Sequence, residues 1–248
     1  MVKTYLTRGL LVGLLAALFA FGFAKVFGEP QIGKAEHFEY SLAQQRGQSI
    51  ESPIVSRDTQ STIGLATGLL VSGAAIGGLF ALVFAGVHRR VTRARARVVA
   101  AVLAGAGFVA VFLVPFLKYP ANPPSVGNAD TIGHRTELYF LLMAFSVVSL
   151  VIAVVVQRRL TLRFGGWNAT LLASAVFIGL AALAYLLLPG VNEVPLGFPA
   201  TVLWNFRVAT VGIQVVLWGT LGLAFGALTE RHEALATTPV TMTPAGVG

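Results

Sequence analysis

Apolar residues fall into six blocks along the chain and do not alternate with polar residues. Each block is about 20 residues long, the length of α-helix that crosses a hydrocarbon layer of roughly 30 Å. A membrane β-strand would show about ten residues of alternating polarity, and lipid cannot satisfy unpaired backbone groups. The pattern therefore predicts an all-α integral membrane protein, a bundle of six transmembrane helices at residues 9–27, 63–87, 98–117, 138–156, 169–188 and 208–228.

These blocks predict one membrane domain over residues 1–228. The first block is longer than the roughly 7 to 15 residues of a signal-peptide core, so we expect it to remain in the protein as a membrane span. Beyond residue 228 the sequence turns to Thr, Pro, Ala and Gly. That composition cannot form a core, and it predicts a disordered cytoplasmic tail over residues 229–248.

Composition sharpens the class of protein. Of the 248 residues, 56% are hydrophobic and 11% are charged, whereas a typical soluble domain has about 25% charged residues. The chain has no cysteine, so a metal would need His, carboxylate or carbonyl ligands, which suit Co, Ni, Mn or Mg. No P-loop, HExxH or GxSxG pattern is present, so we expect neither an enzyme nor a bound cofactor.

The net charge of +8 indicates how the protein is oriented when each charge is assigned to one side of six spans. One side receives 11 of the 18 Lys and Arg residues and two of the ten acids, and the other side receives the remaining seven bases and eight acids. The positive-inside rule then predicts that both termini are cytoplasmic. The five arginines between His88 and Arg97 serve this orientation, so the expected partner is the lipid bilayer and not nucleic acid.

Polar turns at the outer ends of the odd-numbered spans are the candidate functional region. Pro-containing segments follow the first, third and fifth spans, at residues 25–30, 118–124 and 189–200. Proline lacks an N–H and disfavours helix in the preceding residue, so these turns leave carbonyl oxygens free of helical partners. Free carbonyls beside carboxylates can coordinate a cation. Ordinary rigid loops are the alternative interpretation.

Arg207 and Gln214 lie on one face of the sixth span, together with Thr210 or Val211. An arginine at this depth needs a partner, and Glu193 or Glu29 is the expected one. Gln214 falls near mid-membrane, so its face should point into the bundle, either for function or to bond a neighbouring helix. The predicted ion vestibule comprises Glu29, Lys118, Tyr119, Asn122, Asp130, Asn192, Glu193, Arg207 and Gln214.

Two further clusters are candidate metal ligands. Glu36, His37 and Glu39 form the first, and His134 and Glu137 form the second with Asp130, which shares their face if that segment is helical. A surface histidine near acids is also commonly just solvated.

The outer turns carry the strings Phe27-Gly28-Glu29-Pro30, Lys118-Tyr119-Pro120-Ala121-Asn122-Pro123-Pro124 and Asn192-Glu193-Val194-Pro195. In these strings the chain resembles the CbtA family of cobalt transporter subunits, and the resemblance extends from about Arg8 to Gly226. It implies a protein of the bacterial inner membrane that takes up cobalt for cobalamin synthesis, with cobalt as substrate and a small single-span partner of the CbtB type. The family is usually described with five spans, whereas the charge distribution here favours six.

Two hypotheses follow for function. The first is a subunit of a cobalt or divalent transition-metal importer, in which the outer vestibule receives the ion. The second is a non-transporting scaffold that assembles another permease, suggested because no span except the end containing Lys25 carries a charge. The sequence leaves homo-oligomerisation open.

Overall fold

The structure is a computed structural model, and it describes residues 2–47, 54–88 and 94–237. The described part is all-helical. Five of its helical stretches are long and apolar enough to cross a membrane: Val2–Gln45, Arg57–Val87, Ala96–Lys118, Ala129–Leu187 and Ala200–Leu235. The all-α membrane class predicted from the sequence is therefore confirmed.

The α-helices within these stretches are α1 (Val2–Phe23), α2 (Glu29–Gln45), α3 (Arg57–Thr59), α4 (Leu65–Val87), α5 (Ala96–Gly107), α6 (Val114–Lys118), α7 (Ile132–Leu187) and α8 (Ala200–Thr237). Short π-helical turns join α1 to α2, α3 to α4, and α5 to α6; they are Ala24–Gly28, Gln60–Gly64 and Phe108–Leu113. A 3₁₀ turn, Ala129–Thr131, precedes α7.

Helix α7 contains both the fourth and the fifth predicted spans, and it is interrupted between them. Gly165 has φ 75° and ψ 164°, which is not a helical conformation, so two helices meet there. Leu138 and Leu142 near the start of α7 belong to the same buried cluster as Ala184 near its end. A straight helix would separate positions 138 and 184 by about 69 Å at 1.5 Å per residue. The chain therefore folds back at Gly165 into an antiparallel helix pair.

Helices α1 and α4 pack antiparallel through small residues. Gly9 lies against Gly77, and Gly13 lies against Gly73, with backbone carbonyls close to the facing glycines. Such positions let two helix backbones approach without side chains between them. Around this contact the main core gathers Phe80 and Phe84 of α4 with Leu221 and Phe225 of α8.

Helix α8 links the two ends of the bundle. At its C-terminal end, Thr229 accepts a hydrogen bond from Arg8 at 2.8 Å, and Glu233 lies 3.0 Å from His88 Nε2 and 3.3 Å from the Tyr5 hydroxyl. Arg97 lies 3.6 Å from Glu230 at the same end. We call this the basic end, after Arg8, His88 and Arg97. The opposite end, which contains the loops after α6 and α7, is called the polar end.

The sequence prediction of a turn at residues 25–30 is wrong, because helix continues from α1 into α2 through Pro30. A proline inside an α-helix clashes with the carbonyl four residues earlier. Here the preceding turn is π-helical, and Glu29 N bonds to Ala24 O five residues back. The wider turn admits the ring, and Pro115 likewise follows the π-helical turn Phe108–Leu113.

Other boundaries also differ from the sequence prediction. The last helix runs to Thr237, so residues 229–237 of the predicted tail are helical. The remainder of that tail, residues 238–248, lies outside the described residues, as do residues 89–93 of the predicted basic loop. The turns after α6 and α7 are non-helical as expected.

Candidate functional site

A cavity of about 430 Å³ lies at the polar end, between the end of α6, the start of α7, the loop before α8 and the first turns of α8. Six of the nine predicted vestibule residues line it: Tyr119, Asn122, Asn192, Glu193, Arg207 and Gln214. They come from three stretches of chain that are far apart in sequence, and packing brings them to one place.

Glu193 is held by the loop that precedes α7. Its Oε2 accepts hydrogen bonds from Asn128 N at 2.7 Å and from the Thr131 hydroxyl at 2.9 Å, and Arg135 Nε lies 3.6 Å away. The hydrogen bond from the Asn128 backbone, followed by that from Thr131 and by the charge of Arg135, lowers the pKa of Glu193 below its ordinary value of 4.5. The carboxylate is thus ionised and already bonded.

Arg207 enters the cavity from the first turns of α8. Its NH2 donates to Asn122 Oδ1 at 2.9 Å, and its Nε lies 3.4 Å from Ala121 O. The expected carboxylate partner, Glu193 or Glu29, is therefore wrong, because Glu193 bonds to the loop before α7 and Glu29 pairs with Arg57. Arg207 ties α8 to the Pro-rich turn through an amide and a carbonyl.

Gln214 lines the inner part of the same cavity, with Thr210 between it and Arg207. Seven residues of α-helix separate Arg207 from Gln214, which is about 10 Å along the axis. The prediction that this face points into the bundle is confirmed. Trp218, one turn further, is buried in the core instead.

Three predicted vestibule residues lie outside the cavity lining. Glu29 is paired with Arg57, which also meets Glu36 at 3.1 Å. Lys118 donates to Tyr185 O at 2.8 Å and lies 5.7 Å from the centre of that ring. Asp130 is exposed in the 3₁₀ turn, where its backbone N–H donates to Asn128 Oδ1.

Neither predicted metal cluster forms a ligand set. Over the described ranges, no three His, Cys, Asp or Glu side chains lie together so that they could hold a metal ion. Glu36 forms an ion pair with Arg57. The other four residues are exposed: His37, Glu39, His134 and Glu137. Residues that are close in sequence on one helix do not all point at the same metal ion, and no facing helix supplies further ligands among the described residues.

Sequence reasoning missed several residues that shape the cavity, above all Arg135, together with Thr136 and Tyr139 of α7. Their spacing gives a signal, since Tyr139 lies four positions after Arg135 and three after Thr136, and residues at these spacings are neighbours on a helix surface. The Tyr119 hydroxyl donates to Pro189 O at 2.7 Å, and the Tyr185 hydroxyl donates to Val114 O. These bonds join α6 to the end of α7 and fix the rim of the cavity.

A multipass bundle of apolar helices with a cavity at one end defines an integral membrane protein. The particular family follows from its family model: the chain belongs to the CbtA family, described as "Probable cobalt transporter subunit (CbtA)", which matches residues 2–230. No curated protein and no solved structure matches the chain.

Proposed function

We propose that this protein is the membrane subunit of a cobalt uptake transporter, and that the cavity at the polar end is where substrate enters. The observation that carries the proposal is the convergence of Tyr119, Asn122, Glu193 and Arg207 on one cavity that reaches Gln214. Membership of a family of probable cobalt transporter subunits supports the choice of substrate. In this role the protein carries a substrate and is not an enzyme.

The proposed topology has six spans, with both termini in the cytoplasm of a bacterial cell. The fold-back at Gly165 supports it, because it divides α7 into two helices that run in opposite directions. Contacts of Tyr5 and Arg8 with the end of α8 also support it, since they place the start and the end of the helical bundle at the basic end. An inner basic end agrees with the positive-inside rule.

Transport in this direction needs no ATP hydrolysis by this chain. An inside-negative potential supplies about 2.3 kcal/mol per charge per 100 mV, or about 4.6 kcal/mol for two positive charges. That free energy corresponds to about three decades of accumulation. We further propose that the imported cobalt serves cobalamin synthesis and that a small single-span CbtB-type subunit completes the transporter.

Uptake of radioactive cobalt tests the proposal in cells that express the chain with and without the small subunit. The sharp comparison is Gln214→Trp, which places a ring in the cavity, against Val215→Trp, which adds similar bulk at a neighbouring position that is 53% exposed. We expect Gln214→Trp to abolish uptake and Val215→Trp to preserve it. Uptake equal to that of an empty vector, in both the presence and the absence of the partner, would sink the transport role.

The second candidate is a scaffold that supports another permease. One observation favours it: within the described residues the cavity contains a single carboxylate, Glu193, and that carboxylate is already bonded. The same pair of variants separates the two functions. A scaffold would support full uptake with the cavity obstructed by Gln214→Trp, provided that the chain remains in the membrane at its normal level.

A further inference from the structure

The charged groups around the cavity do not match a bare cation. Arg135 and Arg207 line it with one carboxylate, Glu193. Glu193 accepts two hydrogen bonds from the loop before α7 and lies beside Arg135, so its charge is balanced where it stands. The positive charge of Arg207 is left without a carboxylate among the described residues, and it repels a metal cation.

The side chain of Arg207 is built to receive an anion. A guanidinium has five N–H donors in a planar fork that matches a carboxylate. Only two groups of Arg207 meet acceptors, at Asn122 and Ala121, and the second contact is long at 3.4 Å. The side chain is half-buried, so a charged partner stabilises it more than it would in water.

The volume of the cavity also exceeds that of an ion with its water shell. Six waters at roughly 30 Å³ each occupy about 180 Å³, whereas the cavity has about 430 Å³. Aromatic rings of Phe112, Phe116 and Tyr139 form part of its wall. A mixed wall of rings, amides and guanidinium groups suits a small organic anion.

We propose that the cavity binds a carboxylate-bearing anion at Arg207 and that the metal enters as the chelate of such an anion. This inference rests on the proposed function and names the form of its substrate. The carboxylate pairs with the fork of Arg207, and the amides of Asn122 and Gln214 bond the remaining oxygens. The metal stays within its chelate, so the cavity needs no ligand set of its own.

Binding to the full chain in nanodiscs tests the site directly. The probes are citrate, the one-to-one cobalt–citrate complex, which is anionic, and cobalt chloride in a non-coordinating buffer. We expect citrate and cobalt–citrate to bind saturably, and Arg207→Gln to weaken both by about tenfold or more, as expected for loss of a charge-assisted pair. Lys34→Gln removes the same charge from an exposed position outside the cavity and should change nothing.

Arg207→Lys keeps the charge but lacks the planar fork, so its affinity should fall between those of Arg207→Gln and the wild type. This variant keeps the test valid if Arg207→Gln fails to fold. Tighter binding of bare cobalt than of cobalt–citrate, or equal loss in Lys34→Gln and Arg207→Gln, would overturn the inference. So would loss of citrate binding in nanodiscs that contain anionic lipid, since the site would then belong to a lipid headgroup.

Uptake measurements separate this inference from the proposed function. We expect protein-dependent cobalt uptake to rise when citrate is supplied with the metal. Protein-dependent uptake that is fastest without any chelator would refute the chelate but leave the transporter standing. If the chain supports no uptake in either medium, the proposed function fails, and the binding of citrate at Arg207 alone decides whether the anion site exists.

Discussion

Replacement of Gly73 by alanine tests the close packing of α1 on α4. A Cβ at Gly73 would lie 2.6 Å from Gly13 O and 2.7 Å from the Ala17 Cβ. Ordinary carbon contacts begin at about 3.5 Å, so the helices must separate by about 0.8 Å. A gap of that size forfeits between a quarter and a half of the dispersion energy of each affected contact. We therefore expect a packing penalty of about 1–3 kcal/mol, the usual cost of adding a methyl group to a full core.

The matched control is Gly68→Ala, five residues closer to the start of α4. An added Cβ at Gly68 would meet no atom within 4 Å, so only the higher helix propensity of alanine acts there, which is worth at most about 1 kcal/mol in favour of folding. The difference between the two variants isolates the packing penalty. Reversible unfolding in mixed micelles of increasing SDS content, followed by circular dichroism, gives both free energies of unfolding.

Equal free energies of unfolding for Gly73→Ala and Gly68→Ala would refute the reasoning, because the helices would then be free to move apart at no cost. A further check is Ala17→Gly in the Gly73→Ala background. It removes the clash between the two Cβ atoms but leaves the one with Gly13 O, so it should restore part of the lost stability.

The remaining predictions concern Glu193 and Gly165. The pKa of Glu193 is lower in the folded state, so the ionised carboxylate contributes its full stability above the ordinary pKa of 4.5 and loses it as the pH falls through the lowered folded value. Thermal unfolding measured against pH should therefore show a steeper loss of stability below pH 4.5 for the wild type than for Glu193→Gln. Parallel curves for the two proteins would contradict this prediction. The backbone conformation of Gly165 is essentially restricted to glycine, so Gly165→Ala should destabilise the protein by about 1–3 kcal/mol. Gly166→Ala should not destabilise it, because the added Cβ would meet no atom within 4 Å. Equal melting temperatures of the two variants would show that the fold-back does not depend on this backbone conformation.

The sequence was sufficient for features that depend on length and polarity. All six apolar blocks are helical. It was insufficient where distant segments choose partners. Asn122, not a carboxylate, receives Arg207, because Glu29 lies on another helix beside Arg57. No local pattern encodes such a choice between acceptors.

Proline gave a misleading signal for a related reason. Pro30 ordinarily ends a helix, but the turn before it is π-helical and leaves room for its ring. The hydrogen-bond pattern of the preceding turn is a property of the folded backbone, and residue types alone do not reveal it. The prolines of the turns after α6 and α7 do interrupt helix, as expected.

The π-helical turns of the described residues indicate where the chain can lose a residue and keep its fold. A π-helical turn closes its hydrogen bonds over one more residue than an α-helical turn does. Loss of one residue from Phe108–Leu113 can therefore be absorbed by conversion to an α-helical turn, which leaves α5 and α6 facing the same neighbours. Deletion of Val109 should preserve the fold in a melting experiment, whereas deletion of Ala101 within α5 should rotate one of its flanks by about 100° and disrupt it.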